Sequence, residues 1–227
     1  MDHKKRYASL LETARGLSSA GDMEKYLQSI LSAAIELTNS EAAFILELEE
    51  TSKHLRFSVV PWFHRDALQG AKVPVDGTAQ GEVYQKCRPI IIGDAGSDFR
   101  HFRQVDRLAK FKTRSLLAVP LVFRGLPSGV FEVRNKADNG HYTEDDVAVL
   151  EMLASLVSIA LRNDLLEKRM QGSRNEIDEL DRLKNEFIAI TSHELRTPLG
   201  LILGHATFLR EMLGKDYYEQ LDAIIRN

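Results

Sequence analysis

Between residues 115 and 135 the chain reads Ser115-Leu116-Leu117-Ala118-Val119-Pro120-Leu121-Val122-Phe123, then Arg124-Gly125-Leu126-Pro127-Ser128, then Gly129-Val130-Phe131-Glu132-Val133-Arg134-Asn135. Two apolar-rich runs separated by a Gly- and Pro-bearing link predict a pair of strands. Upstream lie a short buried strand at Pro89 to Ile92 and helices near 79 to 87 and 104 to 111, with Val73-Pro74-Val75-Asp76-Gly77-Thr78 leading into the first of these. Further back, strands are predicted at Ala42 to Leu48 and His54 to Val60, joined by the polar Glu49-Glu50-Thr51-Ser52-Lys53. Helices over residues 3 to 19 and 22 to 38 precede them, broken at Ala20-Gly21-Asp22, with Asp22 as N-cap. Met23, Leu27, Ile30, Leu31, Ala34 and Leu37 recur at three- and four-residue spacing, so one face of the second helix should pack on a sheet. Downstream, Thr143 caps a long helix with Asp145 and Asp146 in its first turn. The order of helices, strands, helices, strands and helix predicts an α+β domain with a mostly antiparallel central sheet and flanking helices.

With 227 residues, 44% hydrophobic and 28% charged, the chain has room for one sizeable domain and a smaller helical unit. No apolar run approaches the roughly 20 residues a spanning helix needs, and Tyr7 to Leu17 has no continuous apolar region for a secretory signal. A cytoplasmic protein without a membrane span is expected. A net charge of −3 and a pI near 6.2 give no electrostatic case for nucleic acid. Cys87 is the single cysteine, which excludes a disulfide framework and a thiolate metal site. Its cationic neighbours Lys86 and Arg88 give the setting of a redox or covalent-attachment role, while a small hydrophobe at a helix end is the plainer role.

Residues 22 to 164 resemble a GAF domain, a small-molecule or light-sensing module often found upstream of histidine kinases. The resemblance rests on Val73-Pro74, Gly77, Gly81, Arg88-Pro89-Ile90-Ile91-Ile92-Gly93-Asp94, Ser115 to Leu121, Gly129-Val130-Phe131-Glu132-Val133 and Tyr142-Thr143-Glu144-Asp145-Asp146, in that order. Asn135-Lys136 with Tyr142 and Asp146 approaches the Asn-Lys, Phe and Asp-Glu pattern of cyclic-nucleotide-binding members, but Tyr142 replaces Phe and Val147 replaces Glu. The resemblance therefore implies a structural salt bridge between Lys136 and Asp146 rather than a nucleotide contact. It names no ligand. By the same resemblance a pocket across one sheet face would be lined by Trp62, Phe63, Tyr84, Phe99, Phe102 and Phe131, and these aromatics could equally fill the space as core. A bilin would need a cysteine in the second half of the domain, and Cys87 followed by Arg88 does not supply one. His64, His101 and His141 stand in polar loops and give no case for haem; no metal is expected. The run Asp98-Phe99-Arg100-His101-Phe102-Arg103 has the chemistry to receive a planar anion, and also that of a solvated loop anchored by two Phe residues.

Beyond the domain, Phe187-Ile188-Ala189-Ile190-Thr191-Ser192-His193-Glu194-Leu195-Arg196-Thr197-Pro198-Leu199 reads as a helix with a reactive face. A nucleophile, a carboxylate, a cation and a hydroxyl fall within one turn at His193, Glu194, Arg196 and Thr197. Pro198 has no N–H for the Glu194 carbonyl and crowds it, so the helix should bend or loosen there. From Ser192 to Leu199 the run matches the phosphoacceptor box of sensor histidine kinases completely. That resemblance implies that neutral His193 accepts the γ-phosphoryl of ATP, with Glu194 as base or orienter. Thr197 would serve a phosphatase-type role, and Arg196 is a possible phosphate contact.

Between domain and box a heptad runs Val149, Met152, Leu156, Ile159, Asn163, Leu166, Met170, Ser173, Ile177, Leu180, Lys184, Phe187, Thr191, which predicts a parallel two-stranded coiled coil and a homodimer. Polar Asn163, Ser173 and Lys184 weaken the seam, and Gly172-Ser173 is either a point of flexure or part of a plain spacer. After Pro198 the helix continues to Gly214; Gly214-Lys215-Asp216 turns, and Tyr217 to Arg226 begins a returning helix, making a truncated hairpin. No Asn- and Gly-rich ATP-binding boxes follow, so ATP with Mg belongs to a full-length kinase whose ATP-binding domain lies outside this chain. The expected organisation is a sensor domain at 1–164, a coiled-coil linker at 165–182 and a phosphoacceptor domain at 183–227. Partners would be a second copy and a response-regulator receiver domain, with the fragment inactive alone. The rival reading is a non-enzymatic ligand-binding or scaffold dimer; a phosphodiesterase regulatory segment is disfavoured because no metal-ligand spacing follows residue 165.

Overall fold

The computed structural model describes residues 22–49, 51–137 and 140–212, together with Thr13 and Arg15. The helix predicted over 3 to 19 and the returning helix after Gly214 lie outside the described residues. The chain divides into two compact units, Met1–Leu166 and Glu167–Asn227.

In the first unit, helix α1 (Met23–Thr38) opens where Asp22 accepts hydrogen bonds from the Glu24 and Lys25 amides at 3.1 and 3.3 Å. It closes at Asn39, whose φ of 51° is the left-handed conformation a helix end asks for. Strands β1 (Ser40–Glu49) and β2 (His54–Val59) form an antiparallel hairpin. A 3₁₀ turn (Trp62–His64) and the short helix α2 (Arg65–Leu68) lead to strand β3 (Lys72–Pro74). Helix α3 (Ala79–Lys86), strand β4 (Ile90–Ile92) and helix α4 (Arg103–Ala109) follow. Strands β5 (Leu116–Phe123) and β6 (Leu126–Lys136) are the pair read from residues 115 to 135. The six strands make one sheet in the order β3-β2-β1-β6-β5-β4, antiparallel at every pairing.

Both faces of this sheet are covered, because successive side chains of a strand point to opposite sides. Ala43 and Ile45 of β1, Leu117 and Val119 of β5 and Phe131 and Val133 of β6 face α1 and the start of helix α5 (Glu144–Met212), against Ile30, Leu31, Leu150 and Leu153. Phe44 and Leu46 of β1, Leu55 and Phe57 of β2 and Val130 of β6 face the opposite layer, where Val83 of α3 and Val105 of α4 close the second core. Helix α3 comes very near the preceding strand at Gly81: a Cβ there would lie 1.6 Å from the Val75 carbonyl oxygen, so only glycine fits.

Helix α5 starts in the first unit with Asp145 and Asp146 in its first turn, and Pro198 stands inside it. Val149, predicted for the coiled-coil seam, is buried in the domain core instead, and Leu156 packs against that core. The apolar seam positions that remain exposed are Met152, Ile159, Leu166, Met170, Ile177, Leu180 and Phe187. The reason is geometric: the first turns of α5 have a sheet to cover, and a heptad shares its apolar spacing with an amphipathic core helix. No helix among the described residues is long and apolar enough to cross a membrane.

Candidate functional site

On α5, Thr191 is half-buried and Ser192, His193, Arg196, Thr197 and Leu199 are exposed; the backbone is helical through all of them and through Glu194. Residues 189, 193, 196, 197, 200 and 204 fall on one face by three- and four-residue spacing, which puts His193 among Ala189, Arg196, Thr197, Gly200 and Gly204. Apolar Ile188, Leu195, Leu199, Ile202 and Leu209 fall on the other side, and all are exposed in the single chain. The polar face thus brings a nucleophilic imidazole, a cation and a hydroxyl to one accessible surface. Gly200 and Gly204 were not singled out from the sequence. A Cβ at either would meet nothing within 4 Å, so the backbone on His193's face is open to close approach; their spacing of seven and eleven residues from His193 was the available signal.

Pro198 leaves the Glu194 carbonyl without its helical donor four residues on. The helix runs on unbroken through that turn.

In the first unit, the Lys136 ammonium donates to Asp146 Oδ2 at 2.8 Å and to the Thr38 carbonyl at 2.8 Å. Asp146 also accepts from the Thr143 amide and hydroxyl at 2.9 and 3.0 Å. One lysine therefore ties the end of α1, the end of β6 and the first turn of α5 together, a structural clip with its polar atoms turned inward.

The six aromatics named for a pocket do not converge. Trp62 is 81% exposed, Phe99 90% and Phe63 50%, so these rings lie on the surface. Phe131 is fully buried but on the face covered by α1 and α5. Tyr84 and Phe102 alone, half-buried, pack against the opposite core. Aromatic composition in loops does not report which rings the chain folds over, and strand parity sends Phe131 away from its supposed neighbours. Arg100 of the loop considered for a planar anion is engaged by Asp98 at 2.7 and 3.0 Å and by Glu82 at 2.8 Å, and its pKa is raised by these carboxylates.

What the face under α3 and α4 holds is a buried polar cluster that sequence reading passed over. Arg134 donates to Glu132 Oε1 from Nε and Nη2 at 2.9 and 2.6 Å, and from Nη1 to Thr113 Oγ1 and Asp106 Oδ1 at 3.3 and 3.4 Å. Gln80 Nε2 donates to Glu132 Oε2 at 2.8 Å, and His101 Nε2 lies 3.0 Å from Asp106 Oδ2. Burial pushes the Asp106 carboxyl up, but hydrogen bonds from His101 and from the Thr113 side chain and backbone outweigh it and hold its pKa below the usual range. The His64 pKa is lowered by burial and by the Arg134 charge, which favours the neutral imidazole. Among the described residues no group of three His, Cys, Asp or Glu could hold a metal ion. Cys87 is exposed at the end of α3.

Residues 20–162 match the GAF domain family model, and residues 183–227 match the His Kinase A (phospho-acceptor) domain. A hybrid signal transduction histidine kinase G of Dictyostelium discoideum is 26% identical over 144 residues, which is 59% of this chain and 4% of that protein. The sensor histidine kinase TmoS of Ectopseudomonas mendocina is 40% identical over 72 residues, 30% of this chain and 7% of that protein. The chain thus spans a small part of the length of these relatives. Among solved structures, the GAF domain of a phosphoenolpyruvate-protein phosphotransferase from Coxiella burnetii superposes with a TM-score of 0.67 at 13% identity, covering 74% of this chain and 99% of that one. Sheet, covering helices and phosphoacceptor box agree with both models: the chain belongs to the GAF domain family and joins that domain to the His Kinase A phospho-acceptor domain of sensor histidine kinases.

Proposed function

We propose that the chain is the sensory and phosphoacceptor part of a two-component histidine kinase acting in the cytoplasm. The observation that carries this reading is the exposed His193 at the centre of a small and polar helix face, flanked by Arg196 and Thr197 one turn on. The lone pair of a neutral ring nitrogen attacks the γ-phosphorus of ATP held by a separate ATP-binding domain. A phosphorus–nitrogen bond forms, the bond to the ADP oxygen breaks, and ADP leaves. Glu194 orients the ring or takes the proton released from its opposite nitrogen. The phosphoryl group then passes to a carboxylate of a receiver domain, for which the uncovered backbone at Gly200 and Gly204 leaves space. Thr197 positions the water or carboxylate that discharges it.

Two copies associate through the exposed apolar side of α5, including Ile177, Leu180 and Phe187. The GAF unit biases the arrangement of that pair. Incubation with a cognate ATP-binding domain and labelled ATP tests the reading. Acid-labile label is expected in the wild type, none in His193→Ala, and about a hundredfold slower labelling in Glu194→Gln. A wild-type protein that never labels is a scaffold dimer instead.

A further inference from the structure

We propose that the face of the GAF sheet under α3 and α4 is a receptor for a planar guanidinium-type cation, and that the chain fills it with its own Arg134. Three observations converge on this site. First, the side chain of Arg134 is 1% exposed, yet its guanidinium is surrounded by acceptors from separate elements: Glu132 on β6, Asp106 on α4 and Thr113 before β5. Second, the guanidinium carbon lies 5.0 Å from the ring centre of Phe44 and 5.9 Å from that of Phe57, and these rings meet edge to face at 5.6 Å. Aromatic faces and a carboxylate pair are what a flat, weakly hydrated cation selects over a compact ammonium. Third, Gln80, 2% exposed, gives its N–H to Glu132 while its Oε1 is buried with no hydrogen-bond partner. The wall is richer in acceptors than its occupant uses.

The arrangement is that of a bound ligand whose tether is the backbone. Arg134 joins α4 and the segment before β5 to the sheet, and Glu132 adds α3 through Gln80, so the layer over this face is held by the occupant. A small molecule that displaced Arg134 from Glu132 and Asp106 would have to replace its positive charge, which a neutral or anionic one cannot do. The assignment holds whether or not His193 takes phosphate, because its readouts involve neither ATP nor label.

The test uses the full chain. Arg134→Ala removes the occupant and leaves the buried Glu132 and the half-buried Asp106 without their cation, and its melting temperature is expected to fall by about 10 °C. Millimolar methylguanidinium is expected to restore several degrees to this variant, while methylammonium and urea at the same concentration restore none and the wild type does not move. Should Arg134→Ala be unfolded at room temperature, recovery of its folded fraction by methylguanidinium is the same readout. Arg134→Lys keeps the charge without the planar fork and is expected to melt between the two. Equal rescue by all additives, no rescue by any, a lysine variant as stable as wild type, or a retained small molecule on the wild type in native mass spectrometry overturns the proposal.

Discussion

A methyl group at Gly81 would collide with the Val75 carbonyl, so Gly81→Ala must push α3 off the strand before it. A loss of about 3 kcal/mol in urea unfolding is expected, near the upper end for an overpacked site. At Lys136 the argument is electrostatic. Lys136→Met strips Asp146 and the Thr38 carbonyl of their buried donor, and about 3 kcal/mol should be lost, most of it recovered when Asp146→Asn is added, as a double-mutant cycle would read. His64 gives the pH dependence. Its folded pKa is lowered, by burial and then by the Arg134 charge, so below the pKa of an unfolded histidine, about 6.5, the unfolded chain binds more protons. The stability it supports is therefore full above that value and declines as pH falls toward the folded pKa. His64→Gln should flatten the urea midpoint between pH 7 and 5.5, and an unchanged slope would remove His64 from the account.

At the scale of the element, Pro198 is the feature with the clearest consequence. Pro198→Ala returns an N–H to the Glu194 carbonyl, so amide exchange around residues 194–198 should slow measurably. An exchange rate equal to wild type would mean that the turn is not loosened by the proline. The same element shows what a sequence can and cannot disclose. Apolar-rich runs bounded by turn signals located five of the six strands, and the three-residue β3 fell within a stretch read only as the approach to α3. Strand β6 shows the limit: Glu132 and Arg134 alternate with Phe131 and Val133, and charges in alternation ordinarily mark a solvent face. Here α3 and α4 lie over that face, so the charges are buried and must satisfy one another. Nothing local distinguishes the two cases, because the covering layer comes from residues about 25 to 55 positions earlier in the chain. The exposed Trp62 and Phe99 are the mirror image, large rings that local sequence assigns to an interior. The polar helix face around His193 was legible because His193, Arg196 and Thr197 lie within about one helical turn.

For the whole molecule, association is the property to measure. Ile177→Asp with Leu180→Asp places charges in the exposed apolar stripe, and sedimentation should shift from dimer to monomer while the melting of the GAF unit stays within about 2 °C of wild type. A variant that remains dimeric would move the contact away from this stripe. The sheet itself offers little alternative. Its two margins are β3 and β4, each three residues long, one ending at Pro74 and the other entered from Pro89. A proline has no amide hydrogen to offer a docking strand, and so short a margin presents a stranger with few rungs to bind. The domain is in effect hemmed on both sides against growth into a shared ladder, a guard against fibrous stacking.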